Sequence, residues 1–284
     1  MESHDRTVLV GLIGAGIQAS RSPALHEREG QAQGLSYLYR LIDLERLGLT
    51  AADLPELLLA ARRFGFAGLN ITHPCKQAVI PLLDDLSPDA QAIGAVNTVV
   101  FGADGRTAGH NTDWSGFSES FARELADAPR HRVAQLGAGG AGSAVAHALL
   151  TLGVATLAIF DTDRTRAAAL AADLCRRFGV GRAEAIGDAA PAVAAADGLV
   201  NTTPIGMDGH PGMPVPRDWL RPELWVAEIV YFPLETELLR AARAAGCRTM
   251  DGGMMAVFQA VGAFRLFAGI EPDPDRMIRH FASM

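Results

Sequence analysis

Two glycine turns, each following a short apolar run, constrain this chain most. The first is Gly14-Ala15-Gly16-Ile17-Gln18-Ala19 after Val8–Ile13, and the second is Gly137-Ala138-Gly139-Gly140-Ala141-Gly142 after Arg132–Leu136. A strand that turns on glycines into a helix opens a βαβ unit, and the segments after each turn continue that alternation. Apolar runs at Tyr37–Ile42, Gly68–Thr72 and Ala95–Phe101 are separated by helical spacing at Leu54–Phe64 and Lys76–Leu83. Past the second turn, Thr156–Phe160, Gly198–Asn201 and Trp225–Val230 read as strands between alanine-rich helices. Apolar strands alternating with helices imply an α/β protein with parallel sheets covered on both faces, and two such series imply two lobes. With 284 residues and 49% hydrophobic content, the chain can fill both cores.

The two turns are not equivalent. A dinucleotide site needs a helix that begins inside the glycine turn, where unpaired amides and the helix dipole hold the pyrophosphate. In the first turn Pro23 would fall inside that helix and break it. Ser22 as N-cap with Pro23 at the first position gives a later helix from Ala24, leaving Gly16–Ser22 as a loop that displays hydroxyls. The second turn runs from Gly142 into Ser143–Leu150 without a breaker, so the dinucleotide is assigned to Gly137, Ala138, Gly139, Gly140 and Ala141. The next strand ends at Asp161. A carboxylate there accepts both adenosine ribose hydroxyls and repels a 2′-phosphate, which selects NAD over NADP. Arg164 and Arg166 follow on the next helix and read as surface charges, with Arg164 able to swing toward a 2′-phosphate.

A net charge of −7 argues against nucleic-acid or anionic-membrane partners and leaves an anionic substrate dependent on a local site. The apolar run 7–17 is too short and too glycine-broken to span a membrane. Cys75, Cys175 and Cys247 are odd in number, widely spaced and without a CxxC pattern, so no disulfide framework or thiolate metal site is expected, and a reducing cytoplasm fits best. His73 and His110 lack a third ligand at metal spacing, so no metal is expected, and His26 reads as a packing residue.

One lysine, Lys76, stands among 24 arginines. What lysine can do and arginine cannot is release its proton at an accessible pH. Lys76 follows Pro74 by two residues, in the first turn of a helix starting there, where the positive dipole end disfavours a second positive charge. Oxidising an alcohol removes a hydride from carbon and a proton from oxygen, and the proton needs a positioned acceptor. Asp113, in Gly109-His110-Asn111-Thr112-Asp113-Trp114-Ser115-Gly116, is the candidate carboxylate partner, with a helix expected from Ser115. Which of the two holds the proton at rest stays open, as does the alternative of a loop aspartate satisfying backbone amides.

At these residues the chain resembles the shikimate dehydrogenases, and among them the NAD-preferring quinate/shikimate dehydrogenases. The resemblance covers essentially the whole chain. It rests on Ser20-Arg21-Ser22-Pro23, Asn70 to Lys76, Gly94-Ala95-Val96-Asn97-Thr98, Asn111-Thr112-Asp113, the GAGGAG turn, Asn201 to Met207, and Gln259. It implies an N-terminal α/β substrate domain, residues 1–112 completed by C-terminal helices in 252–284, and a Rossmann dinucleotide-binding domain at 113–251. It implies Lys76 and Asp113 as the catalytic pair. The substrate carboxylate is implied at Ser20 and Ser22 with Tyr231 nearby, and the ring hydroxyls at Thr72, Asn97, Asp113 and Gln259. Thr202, Thr203, Pro204, Met207 and Met254 would line the cofactor.

Some positions depart from the family pattern. NADP-using relatives carry Asn-Arg-Thr where this chain has Asp161-Thr162-Asp163, which favours NAD. The usual DGLGM stretch reads Asp251-Gly252-Gly253-Met254-Met255, placing a side chain at Met254 where a glycine normally approaches the nicotinamide. Glu228 stands where aspartate is frequent. Ser22 stands where quinate users often carry threonine, which tilts the reading toward shikimate. The expected activity is NAD-dependent reversible oxidation of the C3 hydroxyl of shikimate to 3-dehydroshikimate, extending to quinate and 3-dehydroquinate. A non-catalytic dinucleotide- or shikimate-binding sensor of the same fold is the alternative. The sequence leaves a homodimer open.

Overall fold

The computed structural model describes residues 7–284. The chain forms two compact units, one running to Thr112 and resuming at Val257–Met284, the other Asp113–Ala256.

The first unit is built on β1 (Thr7–Gly14), β2 (Ser36–Asp43), β3 (Gly68–Ile71), β4 (Asp85–Leu86), β5 (Thr98–Phe101) and β6 (Thr107–His110), in the order β2-β1-β3-β5-β6-β4. β1 runs parallel to β2 and β3, but β5 is antiparallel to both β3 and β6. The sheet is therefore mixed, where the strand-helix alternation predicts a parallel one. The cause is a hairpin. The Gly102 amide donates to the Arg106 carbonyl at 2.8 Å, with Gly105 at φ +82° between them, and so short a link cannot make a crossover. Reversing β5 places its first residues beside the ends of β3 and β6, with Asn70 opposite Thr98 and Thr98 opposite His110. The run Ala95–Phe101 accordingly splits into an approach, Ala95–Asn97, and a strand.

Helices α1 (Ser22–Ala32), α2 (Leu44–Leu47), α3 (Leu54–Arg63), α4 (Cys75–Ala78) and α5 (Pro88–Ile93) belong to this unit. α3 buries Leu54, Leu58 and Ala61, the one-face spacing that its sequence predicts. α4 is a single turn followed by a 3-10 turn at Ile80–Leu82, not the continuous helix expected over Lys76–Leu83, because Pro81 cannot supply the amide a longer helix needs. One sheet face packs Ile13, Leu54, Leu69, Ile71, Val96 and Val99, and the other packs Val10, Tyr37, Tyr39, Phe264 and Phe267. His26 lies in this second core, within 6.2 Å of four aromatic rings; burial pushes its imidazole down to about 3, so it is neutral.

The last two helices are α11 (Gly252–Ala268) and α12 (Pro274–Ala282). α12 is fastened to α1 by one buried carboxylate. Glu29 accepts Arg276 Nε at 2.8 Å and Nη2 at 2.6 Å, the Asp273 amide at 2.9 Å and Gln33 Nε2 at 3.0 Å. Burial alone would raise the Glu29 carboxyl, but the Arg276 and Asp273 bonds outweigh it and hold it below the usual range. Glu29→Gln is expected to lower the unfolding free energy by about 2 kcal/mol at neutral pH, measured by urea denaturation. Because the folded-state value is lowered, the wild type holds this increment above the ordinary glutamate value of about 4.3 and loses it as pH falls through the folded value. The two proteins should therefore converge in acid.

The second unit contains β7 (Arg132–Leu136), β8 (Thr156–Phe160), β9 (Ala183–Ala185), β10 (Gly198–Asn201), β11 (Trp225–Glu228) and β12 (Thr249–Met250). All are parallel, in the order β12-β11-β10-β7-β8-β9. This is the Rossmann order, which reverses between β7 and β10. Helices α6 (Asp113–Glu124), α7 (Gly140–Thr151), α8 (Arg164–Phe178), α9 (Ala189–Ala194) and α10 (Glu237–Ala244) complete the unit. All three cysteines are free. Among the described residues no helix is long and apolar enough to cross a membrane.

Candidate active site

In the Rossmann unit the turn after β7 uses its glycines in three ways. Gly137 has φ +99°, and a Cβ there would stand 2.7 Å from Thr202 Oγ1. At Gly142 a Cβ would stand 2.5 Å from the Gly137 carbonyl oxygen, so α7 passes the turn at backbone distance. Gly139, the N-cap of α7, faces open space, with no atom within 4 Å of a built Cβ. The amides that follow it at Gly140 and Ala141 belong to a helix first turn and have no acceptor inside the helix. These residues fit a pyrophosphate, with open space where a side chain at 139 would stand.

The turn is braced from below. Gln135 Nε2 donates to the Gly137 and Gly142 carbonyls, each at 2.9 Å, and Thr202 Oγ1 lies 2.7 Å from the Leu136 carbonyl. Asp161, at the end of β8, accepts the Ala138 amide at 2.8 Å, which sets its carboxylate beside the turn. Arg166 Nη1 stands 4.0 Å from that carboxylate, whereas the Arg164 guanidinium lies by Gly187. The cation beside Asp161 is thus Arg166 and not the Arg164 that the sequence singled out.

Past β10, Asn201 organises the loop that carries the other expected cofactor residues. Its Oδ1 accepts the Thr203 amide at 3.1 Å and hydroxyl at 2.7 Å, and its Nδ2 donates to the Ile205 carbonyl and Glu228, both at 3.0 Å. Pro204 and Met207 are exposed and close a turn, the Met207 amide donating to the Pro204 carbonyl at 3.0 Å. Glu228 is fully buried; burial drives its carboxyl up to about 7 against the pull of Asn201, Val230 and Thr236. Its Oε1 accepts the Val230 amide at 3.0 Å, which fixes the backbone leading to the half-buried Tyr231. Met254 lies half-buried in the first turn of α11, behind Gly252, where a Cβ would stand 2.5 Å from the Val230 carbonyl oxygen. Neither the Asn201–Glu228 pair nor this close approach was legible as a site feature, since each joins segments distant in sequence.

In the first unit the reversed β5 gathers polar residues at one end of the sheet. Tyr39 Oη donates to Asn70 Oδ1 at 2.8 Å, and Asn70 Nδ2 donates to Thr98 Oγ1 at 3.1 Å. Thr98 Oγ1 donates to Asn97 Oδ1 at 3.0 Å, and Asn97 Nδ2 to Thr112 Oγ1 at 2.9 Å. The Thr112 amide returns to Asn97 Oδ1 at 2.7 Å. Asn97, expected to bind substrate, is thus also a buried strut. Of these five, only Asn97 was given a role from sequence; Asn70, Thr98 and Thr112 lay within quoted motifs without one, and Tyr39 lay outside them.

Thr72 and Lys76 stand at the same sheet end, both half-buried. The Thr72 amide donates to Ile13 at 2.9 Å, and the Lys76 carbonyl accepts the Val96 amide at 2.8 Å. Ser20 and Ser22 are half-buried, with the Ser22 amide donating to Ser20 Oγ at 3.3 Å. Ser22 begins α1 instead of capping it; the N-cap is Arg21, whose guanidinium lies 5.1 Å over the Phe281 ring. Gln259 is half-buried on α11, one turn before Gly262, whose face meets Thr112. Asp113, in the second unit, is buried at 2% exposure and is the first residue of α6, so that helix starts before the expected Ser115.

A Rossmann sheet with this glycine turn, in one chain with a second α/β unit of this polar sheet end, defines a two-domain oxidoreductase drawing on a nicotinamide dinucleotide. The model for the shikimate dehydrogenase substrate binding domain matches residues 12–99. A shikimate dehydrogenase (NADP(+)) of Streptomyces avermitilis is 62% identical over 97% of this chain and 95% of its own length. A quinate/shikimate dehydrogenase (NAD(+)) of Corynebacterium efficiens is 52% identical over 99% of this chain and 100% of its own. Among solved structures, quinate dehydrogenase from Corynebacterium glutamicum in complex with NAD superimposes with TM-score 0.92 at 51% identity, covering 98% of this chain and 100% of that one. The chain belongs to the shikimate dehydrogenase family.

Proposed function

We propose that the protein reversibly oxidises the C3 hydroxyl of shikimate, and of quinate, with NAD, in the cytoplasm. The single observation that carries this reading is the gathering of Ser20, Thr72, Lys76 and Asn97 at one end of the first sheet. A carboxylated polyol needs donors for an anion and for ring hydroxyls, and these side chains are of that chemistry. The Ser20 hydroxyl, having accepted the Ser22 amide, has one O–H to give, and a substrate carboxylate is a matching acceptor. Ser22 and Tyr231 are assigned to the same carboxylate, and Thr72, Asn97 and Gln259 to the ring hydroxyls.

Lys76 and Asp113 are assigned as the proton-transfer pair. Asn97, next to the residue that holds the Lys76 carbonyl, also fastens Thr112, the residue before Asp113, so the backbone leading to each is anchored. In the oxidative direction Lys76, as its neutral amine, takes the C3 hydroxyl proton and becomes the ammonium, and Asp113 is assigned to orient the hydroxyl and to pair with the ammonium that forms. NAD, when bound, supplies the hydride acceptor. Gly137, Ala138, Gly139, Gly140 and Ala141 would hold its pyrophosphate, Asp161 its adenosine ribose, and Thr202, Thr203, Pro204, Met207 and Met254 its nicotinamide half. The Met254 side chain narrows the room there relative to glycine.

NAD is favoured over NADP because a 2′-phosphate would meet the Asp161 carboxylate, although Arg166 lies within 4.0 Å of it. The test is a grid of NADH and NADPH absorbance with shikimate and quinate against each cofactor. Turnover of shikimate with NAD is the expected result. Asp161→Ala should weaken NAD by about tenfold or more while leaving NADP little changed. A wild type that prefers NADP overturns the cofactor assignment, and binding without turnover makes the protein a sensor.

A further inference from the structure

We propose that Asp43 is the positioning residue for the hydroxyl loop that receives the substrate carboxylate, an assignment that rests on the shikimate reading above. β1 and β2 run in parallel register with Gly14 opposite Asp43, so the Asp43 carboxylate arrives where the chain leaves β1. There it accepts the Gly16 amide at 3.1 Å, the Ile17 amide at 3.2 Å and Gln18 Nε2 at 2.8 Å. Gln18 is held from its other side, its Oε1 accepting Arg46 Nη1 at 2.8 Å. The Ile17 carbonyl then accepts the Ser20 amide at 3.0 Å, and Ser20 Oγ accepts the Ser22 amide at 3.3 Å. A continuous series of hydrogen bonds thus runs from one carboxylate to both serines.

Asp43 is 3% exposed, and it also receives the Glu45 amide at 3.1 Å as the cap of α2. The amides of Glu45 and Arg46 are held in capping the four-residue α2, whereas the bonds to Gly16, Ile17 and Gln18 serve the loop after β1. A carboxylate is an unfavourable neighbour for an anionic substrate, so charge attraction cannot account for its place, and geometry can. Burial alone would raise the Asp43 carboxyl, but the Gln18 side chain and the Gly16, Arg46 and Glu45 amides outweigh it and hold it below the usual range. It is ionised at neutral pH, and bonds to an ionised acceptor are the stronger kind. Asp43 touches neither hydroxyl, so it acts through the backbone it fixes.

The decisive measurement compares shikimate with its methyl ester, which lacks the anionic carboxylate, in the wild type and in Asp43→Asn. The expected result is a fall of about tenfold in kcat/KM for shikimate, carried by KM, with kcat and the KM for NAD little changed. The ester should lose much less, because the hydroxyls displaced by the mutation contribute little to its binding. Equal losses for acid and ester overturn the assignment, since a general structural role penalises both alike. Gln18→Leu removes the Gln18 bonds to Asp43 and Arg46 while leaving the carboxylate in place, and guards against a variant that fails to fold; it should show the same acid-selective pattern at smaller size, and an unselective loss again overturns the assignment. A wild type that oxidises neither compound overturns the reaction itself and this assignment with it.

Discussion

Lys76→Ala is expected to lower kcat by about a hundredfold to ten-thousandfold, the range that one positioned proton acceptor supplies, while KM for the substrate rises far less. A residue that acts only in the transition state lowers kcat and kcat/KM together; one that merely clamps the ground state raises KM. NADH absorbance under initial-rate conditions separates the two. Lys76→Arg is the sharper variant. It keeps the positive charge and much of the reach but cannot give up its proton, so it should be nearly as impaired as alanine. Arginine at wild-type speed would remove Lys76 from the proton path. The structure adds one restraint on this expectation. α4 is only four residues long, so the helix dipole that its sequence position suggests carries little weight at Lys76.

The second large effect is expected at Gly139. Gly139→Val should leave the thermal midpoint close to that of the wild type, because a Cβ there meets no atom within 4 Å and the backbone is not left-handed. Cofactor affinity should nevertheless fall by about a hundredfold, since overfilling a close-packed contact costs roughly 1 to 3 kcal/mol. NADH fluorescence titration measures the loss, and differential scanning fluorimetry without cofactor checks the fold. Gly142→Ala provides the contrast. Its Cβ would press on the Gly137 carbonyl at 2.5 Å, so stability and affinity should fall together. If Gly139→Val binds NADH normally, the pyrophosphate does not lie on this turn.

Much of the Rossmann unit was legible because its longer strands are parallel, mostly apolar runs set between helices and turns. β7, β8 and β10 have the bounds that their sequence gives. β9 and β12 were not legible, being three and two residues long and defined by their neighbours. In the first unit, the Asp104-Gly105 turn was a readable sign of a hairpin, but strand-helix alternation masked it, and the reversal of β5 went unread. The contrast between the glycine turns was readable from Pro23. What Pro23 could not disclose is that the amides of the first turn bond to Asp43, a contact across 27 residues set by strand register. The Tyr39–Asn70–Thr98–Asn97–Thr112 series was hidden for the same reason. Its types and positions are ordinary in isolation, and only the mixed sheet brings them into line.

The first unit is interrupted by the second, and this has a bearing on the order of biosynthesis. A ribosome delivers Glu29 early and Arg276 late, with the whole of Asp113–Ala256 emerging in between. The Rossmann unit is contiguous and can close as soon as it clears the exit tunnel, whereas the first sheet must wait, its α1 carboxylate without a counter-ion and its Phe264 face uncovered. The nascent molecule thus passes through a stage in which Asp113–Ala256 is complete while the unit of the first sheet still lacks its closing segment Val257–Met284.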